Sequence, residues 1–155
     1  MGVIMRKELD EELCRKYPKI FINRNKPMTE TAMCWGFNCG DGWYNIIDSL
    51  CFSIQGYVDW KNERTMFPQV IALQVKQKFG RLMFYVDNAD ERINGMIEVA
   101  EALSILTCER CGSPGKLVNF GWLATLCDEH AGIDAEPKLI PKFIKISRGN
   151  NGAIK

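Results

Sequence analysis

Cys108-Glu109-Arg110-Cys111 and Cys127-Asp128-Glu129-His130 decide how this chain is read. Each pair holds two residues between its candidate ligands, and fifteen residues separate the pairs. Zinc takes four soft or borderline ligands in a tetrahedron, and a C-x2-C turn aims both sulfurs at one point. The spacer contains Gly112, Pro114 and Gly115, then strand-like Lys116-Leu117-Val118, then Gly121 and Trp122-Leu123-Ala124-Thr125-Leu126. That order predicts a knuckle and a short hairpin that returns the second pair to the first. A helix then starts at Cys127, and its N–H groups favour a thiolate. Knuckle, hairpin and helix make a treble-clef-like module. The competing reading, three buried cysteines and a surface histidine, leaves the equal spacing at both ends unexplained. His130 is also the only histidine in the chain. Cys108, Cys111, Cys127 and His130 are therefore the candidate ligands of one Zn2+ ion. Four protein ligands close a site, which is the structural form; catalytic zinc keeps a position open.

Working back from Cys108, Ala89, Ile93, Met96, Ile97, Ala100 and Leu103 share one helical stripe, with acids on the other face. Asn88 followed by Glu91 resembles a capping box for that helix. From Val70 to Val86 the period drops to two. Ile71, Leu73 and Val75 alternate with Ala72, Gln74 and Lys76, and Leu82, Phe84 and Val86 with Met83 and Tyr85. Phe79-Gly80-Arg81 supplies a tight turn with Gly80 at positive φ, so the segment predicts an antiparallel hairpin. Upstream, Trp43, Ile46, Ile47, Leu50, Cys51, Ile54 and Tyr57 recur at helical spacing, with Asp41 as the expected cap. A shorter helix is expected over 6–17, stopped by Pro18. The fold class is α+β: helices packed on a small antiparallel sheet, with the zinc module at the C-terminal end. The organisation reads as a core over 1–107, the module over 108–134, and an extended segment and tail over 135–155.

The chain has 155 residues, 46% hydrophobic and 25% charged, which suits one packed core with a small metal-bound appendage. Its 20 basic and 19 acidic residues leave a net charge of +1. Phosphate neutralisation supplies much of the affinity of a protein that coats DNA, and that basic excess is missing. No apolar run reaches transmembrane length, and Met1 to Glu8 lacks a signal peptide's apolar stretch. A cytosolic setting is expected. Seven cysteines, an odd number, point in that compartment to metal or catalysis before disulfides.

The other chemistry-bearing residues form no catalytic set. Cys14, Cys34, Cys39 and Cys51 are poorly spaced for a second ion, and Cys51 lies on an apolar stripe, so they read as small core hydrophobes. With His130 engaged by zinc, neither a Cys-His pair nor a Ser-His-Asp triad can be assembled. Phosphate-cradling and dinucleotide fingerprints are missing. The expectation is a protein that is not an enzyme. Met33-Cys34-Trp35-Gly36-Phe37-Asn38-Cys39-Gly40-Asp41-Gly42-Trp43 is the densest unusual stretch. Large aromatics usually fill cores, yet Trp35 and Phe37 are also candidate partner contacts. So are Lys138, Lys142 and Lys145 in the alternating run Leu139 to Ile146.

Pro27-Met28-Thr29-Glu30-Thr31, the Met33-to-Trp43 block, Gln74-Val75-Lys76 with Lys78-Phe79-Gly80 before Phe84-Tyr85, and the terminal Cys and His elements carry a resemblance. Over roughly residues 10 to 131 the chain resembles a family of uncharacterised proteins encoded by tailed bacteriophages and prophages. Family members carry a glycine where Arg81 stands and an arginine where Met83 stands, so a partner contact through that arginine would differ in this copy. The resemblance implies a phage protein acting in a bacterial cytoplasm and carries no established activity. The leading expectation is a non-enzymatic, zinc-stabilised binding protein that engages a host or phage protein and modulates host defence or takeover. The alternative is a nucleic-acid-binding regulator that uses the zinc module with a basic patch including Arg110 and Lys116. A metal-dependent nuclease is a third possibility, opposed by the lack of a free histidine.

Overall fold

The computed structural model describes residues 3–132. Its elements are α1 (Lys7–Lys16), β1 (Phe37–Asn38), α2 (Tyr44–Asn62), β2 (Ile71–Lys78), β3 (Arg81–Asp87), α3 (Glu91–Ser104), β4 (Lys116–Asn119), β5 (Leu123–Leu126) and α4 (Asp128–Ala131). Two 3-10 turns, Ala32–Trp35 and Asp41–Trp43, flank β1. The α+β class expected from the patterns is present. Lys138, Lys142 and Lys145, with the whole 135–155 segment, lie outside the described residues.

The helices follow the apolar stripes. α2 buries Ile47, Leu50, Cys51, Ile54, Tyr57 and Val58, and α3 buries Ile93, Ile97 and Ala100. Each such aliphatic side chain contributes about 1.5–3 kcal/mol when fully buried. α1 adds Leu13, and the Tyr17 hydroxyl just beyond it donates to Asp48 Oδ1 at 2.7 Å, tying α1 to α2. One hydrophobic cluster runs from Met5 to Ala100 and includes Met33, Phe37, Trp43, Val75 and Phe84.

The sheet differs from the expected antiparallel one. β2 and β3 form the antiparallel hairpin, but β1 joins β2 in parallel, Phe37 opposite Val75 and Asn38 opposite Lys76. A two-residue strand is too short to carry a period, so only its tertiary partner defines it. At the opposite edge, α3 closes the sheet with side chains. Ser104 Oγ accepts the Leu82 N–H at 2.9 Å, and Glu101 Oε1 accepts the Phe84 N–H at 3.1 Å. Glu101 Oε2 also accepts from Arg81 at 2.9 Å. Glu101 is thus buried although the sequence pattern put the acids on the solvent face. Such side-chain capping removes the free backbone donors that make an edge strand adhesive. Leu103, assigned to the buried stripe, is half exposed instead.

Two expected helix caps also move. Asp90, not Asn88, caps α3, its side chain accepting the Ile93 N–H at 3.0 Å. Asn88 sits at φ 62° and donates through Nδ2 to the Gln69 carbonyl at 2.9 Å. Asn tolerates the left-handed region and so suits a turn. Asp41 does not cap its own helix either; its carboxylate accepts from the Arg6 backbone N–H at 2.8 Å and pairs with the Arg6 guanidinium. The β2–β3 turn holds both Phe79 (φ 54°) and Gly80 (φ 77°) at positive φ. That is the primed two-residue turn whose twist matches the flanking strands.

Candidate metal centre

The second half of the site is built on the β4–β5 hairpin, which pairs Lys116 with Leu126 and Asn119 with Leu123. Val118, Ala124, Leu126 and Cys108 form a small cluster of their own. The knuckle closes through Cys108 N–H to Ser113 O at 2.7 Å and Gly112 N–H to Cys108 O at 2.9 Å. After β5, Cys127 precedes the single helical turn of α4, closed by Ala131 N–H to Cys127 O at 2.8 Å. One turn of helix brings the His130 ring back over Cys127, because residues three apart share a face.

These elements place Cys108, Cys111, Cys127 and His130 so that their four ligand atoms lie within 4.8 Å of one another. The separations fit a tetrahedral ion. Two sulfurs each about 2.3 Å from zinc stand about 3.8 Å apart, and a sulfur and an imidazole nitrogen about 3.6 Å. Cys111 Sγ lies 3.8 Å from Cys127 Sγ, and Cys108 Sγ lies 3.6 Å from His130 Nδ1. Cys127 Sγ to His130 Nδ1 is tighter, at 3.2 Å. The site is positioned to bind a metal ion, consistent with zinc, with the histidine ligating through Nδ1. Cys108 is buried and Cys111 is exposed, so the ion would sit at the module's rim. The Ser113 hydroxyl and amide beside Cys111 hold its thiol down to about 6, favouring the thiolate that a metal needs.

The remaining cysteines are unsuited to that role. Burial and the Asp10 carboxylate push Cys14 up to about 12, and burial raises Cys39 and Cys51 well above the ordinary thiol range. Cys14, Cys39 and Cys51 pack as hydrophobes, as their spacing implied, whereas Cys34 is half-buried and lies outside the core cluster.

What the sequence did not reveal is how the metal-binding residues are seated. Gly40-Asp41-Gly42 presses on the knuckle. Gly42 N–H donates to Glu109 O at 2.8 Å, Gly40 N–H donates to Glu109 Oε1 at 3.1 Å, and Trp43 Nε1 donates to Thr107 O at 2.8 Å. A Cβ on Gly42 would collide with the Cys108 carbonyl oxygen, and one on Gly40 with the Glu109 carbonyl. Glu109, between two ligands, is only 2% exposed, and burial pushes its carboxyl up to about 7. The core hairpin makes a second contact: Gln77 Nε2 donates to Leu123 O at 2.7 Å, and Thr125 Oγ1 donates to Gly80 O at 2.7 Å. The signal in the sequence was the pair of glycines before Trp43, which reads equally well as mere chain freedom.

Of the two aromatic candidates for partner contact, the structure separates one from the other. Phe37 is fully buried, its ring 5.0 Å from that of Phe21, so it fills the core and is not a contact surface. Trp43 is buried too. Trp35 is 61% exposed, and its loop is held by Arg24, which donates to Cys34 O and to both Asp10 carboxylate oxygens. A groove of about 840 Å³ also runs beside the metal-binding residues, lined by Lys78, Phe79, Arg110, Phe120, Trp122 and His130 among others. No helix among the described residues is long and apolar enough to cross a membrane.

Comparison with protein-family models, curated proteins and solved structures finds no match to this chain.

Proposed function

We propose that this chain is a non-enzymatic binding protein in which one zinc ion stabilises a treble-clef-like module against the α+β core. The observation that carries the reading is the closed set of Cys108, Cys111, Cys127 and His130, seated by Gly40 and Gly42 on the knuckle. Four protein ligands leave a tetrahedral ion no position for water or substrate, so its contribution is to folding. The order of knuckle, hairpin and single helical turn supports the treble-clef-like reading. Zinc in such a place fixes the relation between the module's hairpin and the core's β2–β3 hairpin, and with it any surface the two share.

In this reading the partner is a host or phage protein met in the bacterial cytoplasm, its engagement modulating host defence or takeover. The phage setting comes from the sequence resemblance, and exposed Trp35 supports a protein contact. A second reading, a nucleic-acid partner, is favoured by the exposed aromatic rings and cations around the module. An affinity pull-down of the tagged chain from bacterial lysate, with and without nuclease, separates the two while zinc is quantified on the same material. A protein that survives nuclease supports the first reading. Loss of every partner on nuclease treatment overturns it in favour of the second, and metal-free material that captures the same partners removes the role given to zinc.

A further inference from the structure

The groove beside the metal centre is bounded by two hairpin tips. Phe79 forms one tip and Phe120-Gly121-Trp122 the other, and they meet because Gly80 packs against Leu117 and Ala124. Two large aromatic rings there stay exposed. The primed β2–β3 turn sets Phe79 at φ 54°, a position that Asn or Gly fills at lower cost. Its ring gains no burial in return, being 71% exposed. Trp122 is 55% exposed, its ring 5.9 Å from that of Phe120. Large aromatic faces left exposed at two adjoining hairpin tips point to a ligand.

The charges indicate which ligand. Lys78 and Arg110 are exposed on the groove, with the Lys78 ammonium 5.5 Å from the Phe79 ring centroid. The acid in the lining, Glu109, is buried and turned to the Gly40 N–H, and Asp128 nearby is paired with Lys116 at 2.5 Å. The groove therefore presents aromatic faces together with two exposed cations that form no ion pair among the described residues. Single-stranded nucleic acids are held in this way: bases stack on aromatic rings and cations meet the phosphates, without base-specific contacts. Duplex ends most of that stacking, because its bases already stack on each other.

We propose that the groove between the Phe79 and Trp122 hairpin tips binds single-stranded nucleic acid, bases stacking on those two rings and phosphates meeting Lys78 and Arg110. The proposal rests on the second, nucleic-acid reading of the proposed function and gives it a surface and a strand class. Zinc enters by holding the Trp122 hairpin opposite Phe79.

The test is fluorescence anisotropy of the zinc-loaded full chain with fluorescein-labelled oligothymidylate at low salt, with unlabelled duplex DNA as competitor. The wild type binds and prefers the single strand. Trp122→Ala weakens binding on the order of 5- to 100-fold, the usual loss for one stacking ring. Phe79→Asn does the same while holding or raising the melting temperature, because Asn tolerates the positive φ; that pairing separates lost binding from lost folding. Lys78→Gln with Arg110→Gln lowers the log–log salt slope by about 1.4, roughly 0.7 for each lost phosphate contact. Phe52→Ala, an exposed aromatic of α2 outside the groove lining, leaves oligonucleotide binding unchanged. If Phe79→Asn and Trp122→Ala bind as wild type, or duplex competes as well as single strand, the assignment of the groove is wrong even where the nucleic-acid reading stands. If the wild type does not bind the oligonucleotide but captures a nuclease-resistant protein, the proposal falls and the binding-protein reading stands. If it does neither, both fall.

Discussion

Replacing Gly42 with alanine tests whether the core seats the metal-binding knuckle or merely adjoins it. The added Cβ would stand 2.5 Å from Gly112 N and 2.8 Å from Cys111 N, closer still to the Cys108 carbonyl oxygen. Ordinary contact begins at 3.4 Å, and all three neighbours are backbone, so no flexible side chain can yield. The knuckle must retreat on the order of 1 Å, an overpacking that costs about 1–3 kcal/mol. That retreat also opens the bond from Gly42 N–H to Glu109 O, now 2.8 Å, leaving buried groups unpaired at about 1–3 kcal/mol. The combined loss, about 2–6 kcal/mol, lowers the melting temperature by roughly 5–25 °C for a chain of this size. Part of it appears as weaker zinc binding, a decade for each 1.4 kcal/mol. Thermal denaturation and zinc competition with a chromophoric chelator read the two effects. Gly95→Ala is the control: nothing lies within 4 Å of that Cβ, and removing an interior helix glycine stabilises by about 0.5–1 kcal/mol. If Gly42→Ala melts within about 1 °C of wild type with unchanged zinc affinity, the seat exerts no force and the argument fails.

Chelating the metal is expected to expose the stretch from Cys108 to Ala131 to protease while α2 and α3 stay protected, read by limited proteolysis; uniform protection without metal refutes the structural role. Acidification releases zinc because protons compete for the thiolates and the imidazole, and a zinc indicator follows it. Glu101→Ala strands the Phe84 N–H and the Arg81 guanidinium, and denaturant unfolding should show a loss of about 2–4 kcal/mol. Asp90→Ala costs about 1–2 kcal/mol by removing the cap of α3, whereas Asn88→Gly stays within about 0.5 kcal/mol. Desolvation raises the Asp90 carboxyl, but hydrogen bonds from Ile93 N–H and the Tyr57 hydroxyl outweigh it and hold it below its ordinary 3.8. The cap's contribution is therefore present above that pH and is lost as pH falls through the folded-state value, visible as a narrowing wild-type-to-Asp90→Ala gap in acid.

The sequence by itself determined whatever depends on local period and spacing. The stripes of α2 and α3, the alternation of β2 and β3, and the two ligand pairs are each written in residues near one another in the chain, and a side chain's direction follows from helix or strand geometry alone. Tertiary structure decided what depends on encounters between distant residues. The parallel place of β1 exists only because Phe37 and Asn38 meet Val75 and Lys76. Glu101 looks like a solvated acid until the edge of β3 arrives to be capped. Phe37 and Trp35 are two residues apart and chemically alike, yet packing against Phe21 buries one while the other stays exposed. Gly40 and Gly42 read as chain freedom until Glu109, 69 residues away from Gly40, comes into contact. A ligand tetrad can be read from spacing because its metal imposes the geometry; its seat cannot, because only the packed core chooses what lies against it.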